Sequence, residues 1–179
     1  MVVLLLADGF EEVEAITPVD ILRRGGVEVV TCSITNELCV CGSHGIMIDA
    51  DDCLENIEYE NVDAVILPGG LRGTENLEND TEVEYFLEYM HNNNKLICAI
   101  CAAPSILGKR GYLKGKKATC YPEFDYCLGG GYTGARVETD GNIITSKGMG
   151  TAMDFALAIL TYLKGKDVAD DVARSTMYV

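Results

Sequence analysis

Residues Lys95 to Leu107 read KLICAICAAPSIL. Leu96–Ile100 is a short unbroken apolar run, the pattern of a strand covered on both faces. Beyond Pro104 the chain turns amphipathic. A proline is tolerated in a first helical turn, because the N–H it lacks has no partner there. A buried strand followed at once by a helix implies a parallel sheet with crossover helices. The same reading puts Cys101 on the corner between the two, where a nucleophile elbow presents its reactive atom.

The alternation continues on either side. Val2–Ala7 is another continuous apolar run, turned by Asp8-Gly9. Glu11–Arg24 has helical spacing closed by Gly25-Gly26, with Pro18 expected to kink or break it. Val27–Ile34 and Val62–Leu67 read as strands, the second ending in Pro68-Gly69-Gly70, and Leu38–Cys41 with Gly45–Asp49 reads as a short hairpin. Thr81–His91 reads as a helix, with Thr81-x-x-Glu84 as a capping box and Val83, Phe86, Leu87 and Met90 on its inner face. Ala118–Cys120 reads as a short strand and Arg136–Ser146 as a hairpin turning at Asp140-Gly141. A long helix capped by Thr151-x-x-Asp154 runs through Leu163, and Asp167–Arg174 adds one more. The fold class is therefore α/β, a doubly wound and mostly parallel sheet with helices on both faces. Ligands of such sheets bind beyond the carboxyl ends of the strands. Three of those ends carry chemistry: Asp8-Gly9 with Glu11, Glu12 and Glu14, then Pro68-Gly69-Gly70, then Cys101.

The totals narrow the function. A chain of 179 residues, 48% hydrophobic, suits one domain over residues 1–179 with a sizeable core. No apolar run approaches the roughly 20 residues of a membrane-spanning helix. The apolar start stops at Ala7, too short for a secretory signal, so the expected location is the cytoplasm. A net charge of −14 repels phosphate backbones and anionic lipids, so neither nucleic acid nor membrane is an expected partner. Eight cysteines in a reducing compartment are expected to be free thiols. Cys39-Val-Cys41 with Cys98-x-x-Cys101 suggests zinc, but residues three apart on a strand point to opposite faces, so no metal is expected. No Gly-x-Gly-x-x-Gly follows a strand, so no cofactor is expected either.

What remains is a thiol at a corner. A free thiol of pKa about 8.5 is mostly protonated at neutral pH, and a helix N-terminus favours its anion. Gly70 and the amide of Ala102 are candidate backbone donors to a developing negative charge. A carboxyl group beside the sulfur either donates a hydrogen bond to the thiolate or serves as a base. Glu11, Glu12 and Glu14 are the candidates, with Glu14 one helical turn beyond Glu11 and Glu12 pointing elsewhere. Of the two histidines, neither adjoins Cys101 in sequence; His91 sits in a polar helix end and His44 in a loop before Gly45.

These residues carry a resemblance. The chain is similar, nearly end to end, to the ThiJ/PfpI superfamily, in the branch of the parkinsonism-associated deglycase and its bacterial relatives. The likeness rests on Leu6–Glu14, Pro18-Val19-Asp20 with Leu22–Gly26, Leu67–Gly70, Ala99–Pro104, Thr145–Thr151 and Asp154–Ile159. It implies a flavodoxin-like fold and a homodimer. It maps the reactive cysteine to Cys101, the glutamate that hydrogen-bonds it to Glu14, and the backbone donors to Gly70 and Ala102. It also implies one of two functions. One is a cofactor-free glyoxalase or deglycase acting on 2-oxoaldehydes such as methylglyoxal, or on glycated protein. The other is a redox-sensing or chaperone-like protein that oxidises the same cysteine without turnover. There are departures. Ala102 stands where the peptide-hydrolysing branch has a histidine, so protease activity is not expected. Tyr121 replaces a histidine and His44 an arginine near the site, which makes both possible auxiliaries. Cys120 is an extra thiol, a resolving partner for Cys101 or a packed bystander.

Overall fold

The computed structural model describes all residues 1–179. Strand β1 (Val2–Leu6) shows why the apolar runs form a sheet with two covered faces. All five of its residues are buried, and alternate side chains enter different cores. Val2, Leu4 and Leu6 pack with Ala15, Val19 and Leu22 of helix α1 (Glu12–Arg24) and with Phe155 and Ile159. Val3 and Leu5 pack with Phe86, Leu87, Ile106 and Leu107 on the other face.

The remaining strands are β2 (Val29–Ser33), β3 (Cys39–Cys41), β4 (Met47–Asp49), β5 (Asp52–Cys53), β6 (Ala64–Leu67), β7 (Leu96–Ile100), β8 (Val137–Asp140) and β9 (Ile143–Ser146). The remaining helices are α2 (Leu71–Asn79), α3 (Thr81–Asn92), α4 (Pro104–Lys109), α5 (Ala152–Lys164) and α6 (Lys166–Ser175). Seven strands form one sheet in the order β5-β2-β1-β6-β7-β9-β8. Only β8 runs antiparallel, in the hairpin with β9, while β3 and β4 pair as a separate small hairpin. The mostly parallel, flavodoxin-like α/β architecture is thus present. The chain leaves β1 for β2 on one side and returns to β6 on the other. Such a reversal opens a crevice at the carboxyl ends of the two central strands. No helix is long and apolar enough to cross a membrane.

Several local expectations are corrected. Helix α1 runs unbroken through Pro18, which removes the N–H that would bond the carbonyl of Glu14; burial of Ala15, Val19 and Leu22 holds the helix together across it. Helix α2 had no sequence expectation. The cap of α3 is Asp80, whose Oδ1 accepts from the Val83 amide at 2.9 Å, one residue before the Thr81 of the supposed capping box. Ala118–Cys120 is not a strand, and only Ala118 makes an isolated bridge, to Tyr132. Thr151 does not cap α5 with its side chain; its hydroxyl is 2.7 Å from that of Ser146 and donates to the Gly148 carbonyl, while Asp154 pairs with Arg136. The β8–β9 turn centres on Gly141-Asn142, with Gly141 at φ 63°, one residue later than the Asp-Gly reading.

Phe155 is fully buried in the core between β1, α1 and α5. Phe155→Ala is expected to lower unfolding free energy by about 3–5 kcal/mol, read from urea denaturation at unchanged m-value. A loss below about 1 kcal/mol would mean that this face is not a close-packed core.

Candidate active site

The corner after β7 is built as the sequence implies. Cys101 lies at φ 64°, a left-handed conformation that costs a side-chain-bearing residue about 1–3 kcal/mol. It is held there from both sides: its N–H donates to the Ser146 carbonyl at 3.0 Å, and its carbonyl accepts from the Tyr121 amide at 2.8 Å. The sulfur-bearing residue is half-buried, whereas Ala102 behind it is buried. The amides of Ala102 and Gly70 both hydrogen-bond toward the sulfur and favour its anion.

Glu14, in the first turn of α1, is fully buried beside Cys101. Its Oε2 accepts the Gly69 N–H at 2.9 Å, and the carboxyl also hydrogen-bonds with the Cys101 side chain. Gly69 is the spacer of the pair. A Cβ there would stand 2.5 Å from Glu14 Oε2 and 2.6 Å from Cys101 Cβ, so any side chain would wedge the two apart. Gly70, at φ 90°, is just as constrained, since a Cβ would meet the Gly9 carbonyl oxygen at 2.3 Å. The Pro68-Gly69-Gly70 signal is therefore a requirement for close approach, and Gly69, which the sequence reading named only as part of that triplet, carries as much of it as Gly70.

The electrostatics follow from burial. Loss of solvent pushes the Glu14 acid up to about 7, against the hydrogen bonds from Gly69 and Cys101 and with help from the nearby Glu11 charge. Burial, and then the Glu14 carboxylate itself, push the Cys101 thiol up to about 12 despite the two amides. Two negative charges are not tolerated at one partly dry site, so the pair carries no more than one around neutral pH. The expectation of a simple lowered thiol is replaced by that of a shared proton.

Beside the pair lies a cavity of about 650 Å³ lined in part by Glu14, Cys101, Gly70, Ala102, His44 and Tyr121. Cys120 does not line it. That thiol is fully buried in the core containing Ile106 and Leu107, where burial pushes it up to about 12. Arg72, on the first turn of α2, also lines the cavity; it was missed because α2 was missed.

A second cluster borders the cavity. Glu12 Oε1 accepts the His44 N–H at 2.7 Å, and His44 Nδ1 lies 2.8 Å from Glu12 Oε2. The Ser43 hydroxyl is 3.1 Å from both Glu11 Oε2 and Glu12 Oε2. Burial pushes the Glu12 acid up, yet hydrogen bonds from the His44 ring, its own amide, the His44 amide and Ser43 hold it down at about 2. The hydrogen bond to Glu12 raises His44 in turn. No local pattern links residues this far apart in sequence, so Ser43 was not foreseen. His91, by contrast, stacks on Tyr112 with ring centroids 4.0 Å apart.

The model of the DJ-1/PfpI family matches residues 1–162. The chain belongs to the DJ-1/PfpI family. It is 41% identical to Protein DJ-1 homolog B of Arabidopsis thaliana, over 96% of this chain and 40% of that one. It is 39% identical to the Parkinson disease protein 7 homolog of Danio rerio, over 94% of this chain and 92% of that one. The chain spans only 40% and 45% of the length of the two Arabidopsis relatives it matches. Among solved structures, a cysteine-to-alanine mutant of a DJ-1 superfamily protein from Salmonella typhimurium superposes with a TM-score of 0.94 at 37% identity, covering 99% of this chain and 98% of that one. Toxoplasma gondii DJ-1, oxidized, also superposes at 0.94, with 34% identity, covering 98% and 97%.

The raised Glu14 acid makes a signed prediction. A carboxyl that moves from 4.5 to about 7 on folding binds its proton more tightly in the native state. Its contribution is fully present below about pH 4.5 and is lost as pH rises through about 7. Relative to Glu14→Gln, the wild type is expected to lose about 3 kcal/mol of stability between those limits, measured by denaturant unfolding across pH. A pH-independent difference between the two proteins would contradict the buried, shifted carboxyl.

Proposed function

We propose that this DJ-1/PfpI chain is a cofactor-free, cysteine-dependent enzyme of the glyoxalase or deglycase type, acting on 2-oxoaldehydes or their adducts. The observation that carries the reading is the buried Glu14 carboxyl held against Cys101 by Gly69, with one charge between them. The reactive tautomer places the proton on Glu14 and the charge on the sulfur, where two amides converge against the carboxyl's one.

The chemistry balances with these groups alone. The thiolate adds to the aldehyde carbon of methylglyoxal while Glu14 gives its proton to the aldehyde oxygen, forming a hemithioacetal. Glu14, now a carboxylate, takes the C1 proton to give an enediolate and delivers it to C2, while the C1 hydroxyl proton passes to the C2 oxygen, converting the adduct to a thioester. The amides of Gly70 and Ala102, released by the neutral sulfur, stabilise the oxyanion. Water then cleaves the thioester to lactate and restores the thiol. A cavity of about 650 Å³ is far larger than a three-carbon aldehyde fills, which supports adducts on small thiols, amines or protein as substrates. His44 and Tyr121, both on its wall, are the auxiliary polar groups of this scheme. Val13, Ile16, Ile46 and Met47 leave apolar side chains exposed, which supports a homodimer.

A second reading, a redox sensor or chaperone-like protein without turnover, is favoured by the half-exposed Cys101 and by a solved relative, Toxoplasma gondii DJ-1, in an oxidized form. Lactate formation from methylglyoxal decides between them. The wild type is expected to produce lactate and Cys101→Ser to lose the rate by roughly a thousandfold or more. Equal rates in the two would discard the mechanism. No turnover in either, with two oxygens gained at Cys101 under mild peroxide by intact mass, would favour the sensor.

A further inference from the structure

The cavity beside Cys101 carries one cation that the chemistry above does not use. Arg72 is the only lysine or arginine on its wall. Of the six arginines in the chain, Arg23, Arg24, Arg110, Arg136 and Arg174 each pair with an Asp or Glu carboxylate, whereas Arg72 is exposed and has no such partner and no side-chain hydrogen bond within the protein. Carboxylates are not scarce, with 28 acidic residues against 14 basic ones. Those that share the wall with Arg72 are turned to other donors. Asp8 Oδ1 accepts the Cys41 N–H at 2.9 Å, Glu11 Oε2 the Ser43 hydroxyl at 3.1 Å and Glu14 Oε2 the Gly69 N–H at 2.9 Å. The five N–H donors of the Arg72 guanidinium are left for a ligand.

The residue is also held in position. Helix α2 begins directly after Gly70, whose amide hydrogen-bonds toward the Cys101 sulfur. A Cβ on Gly9 would stand 2.7 Å from Arg72 Cβ and 3.1 Å from its Cγ, so the stem of the arginine lies against the turn that follows β1. Gly73 donates its N–H to the Gly9 carbonyl at 3.1 Å, and Asn76 Nδ2 donates to the Asp8 carbonyl at 2.8 Å. The first turn of α2 is thereby fixed to the same strand end that leads to Glu14, as a preorganised binding group requires.

We propose that Arg72 determines specificity by holding a carboxylate of the substrate, so that the site prefers 2-oxoaldehydes that bear a carboxylate on the carbon chain beyond the ketone. This rests on the reading of Cys101 given above, and the bonds made and broken there are unchanged. The planar guanidinium fork matches a carboxylate in a bidentate pair. A monoanion also suits this wall better than a phosphate dianion, because Asp8, Glu11 and Glu123 repel each added negative charge.

The test compares 4,5-dioxopentanoate, a 2-oxoaldehyde ending in a carboxylate, with 2-oxopentanal, its neutral counterpart of equal length. The products are 2-hydroxyglutarate and 2-hydroxypentanoate. The wild type is expected to show a kcat/KM roughly tenfold or more higher for the anionic substrate, the gain that charge-assisted hydrogen bonds bring. Arg72→Ala is expected to bring that ratio down to about one, and Arg72→Lys, which keeps the charge without the fork, to retain part of it. Binding is read separately from turnover, by isothermal titration calorimetry with 4-oxopentanoate, which lacks the reactive aldehyde. Cys101→Ser is expected to bind it, and the same protein carrying Arg72→Ala to bind it roughly tenfold or more weakly. No turnover of either aldehyde, with Arg72-dependent binding intact, would discard the Cys101 mechanism and uphold the carboxylate subsite. Binding that is absent or independent of Arg72 would overturn the proposal, as would a wild-type ratio near one or a ratio unaltered by Arg72→Ala.

Discussion

The architecture of the site depends on one absent side chain. Gly69 lets the Glu14 carboxyl and the Cys101 side chain approach across the end of β6, at distances that no Cβ would allow. From that approach the rest follows. The carboxyl is dry, so its acid form is favoured; the sulfur beside it is discouraged from ionising as long as the carboxylate is charged. One proton is therefore divided between two groups of different chemistry, a nucleophile and an acid–base group, which is the pairing that addition to a carbonyl requires.

The sheet explains why such a pair is held so rigidly. The order β5-β2-β1-β6-β7-β9-β8 places the chain reversal between β1 and β6. Glu14 enters from the helix after β1, Gly69 and Gly70 from the end of β6, and Cys101 from the end of β7. Each is anchored to a strand buried on both faces, so the left-handed backbone at Cys101 is maintained by its neighbours' hydrogen bonds and not by the residue's own preference. The Ser43–His44 loop is attached to this frame through Glu12, a carboxylate that hydrogen bonds keep ionised to about pH 2.

What the sequence made legible was whatever depended on local pattern. Val2–Ala7, Val62–Leu67 and Leu96–Ile100 announced central strands because both faces of each are buried. Pro104 announced the helix after Cys101. Helix α2 escaped because LRGTENLEN offers only Leu71 and Leu77 as apolar residues and has a glycine inside it. That glycine is explained only by the fold: a Cβ at Gly73 would stand 2.7 Å from the Phe10 backbone. The α3 cap fell on Asp80 because two short polar residues, Asp80 and Thr81, stand at its start, and the Thr151 hydroxyl is turned to Ser146 and the Gly148 carbonyl instead of the helix amides. At the site, Cys101 and Gly70 were marked by their own segments. The meeting of Glu12 with Ser43 and His44 joins separate segments and leaves no periodic trace.

The central claim is that Cys101 ionises as half of a pair that shares one charge with Glu14. Its direct test is the ultraviolet thiolate absorbance of the wild type minus that of Cys101→Ser, followed across pH. The account predicts a thiolate signal that rises with an apparent midpoint near 7, the value at which the pair gives up its first proton. A signal absent at neutral pH and rising only toward 12 would show that the sulfur stays a thiol while Glu14 alone is charged, and would contradict the account.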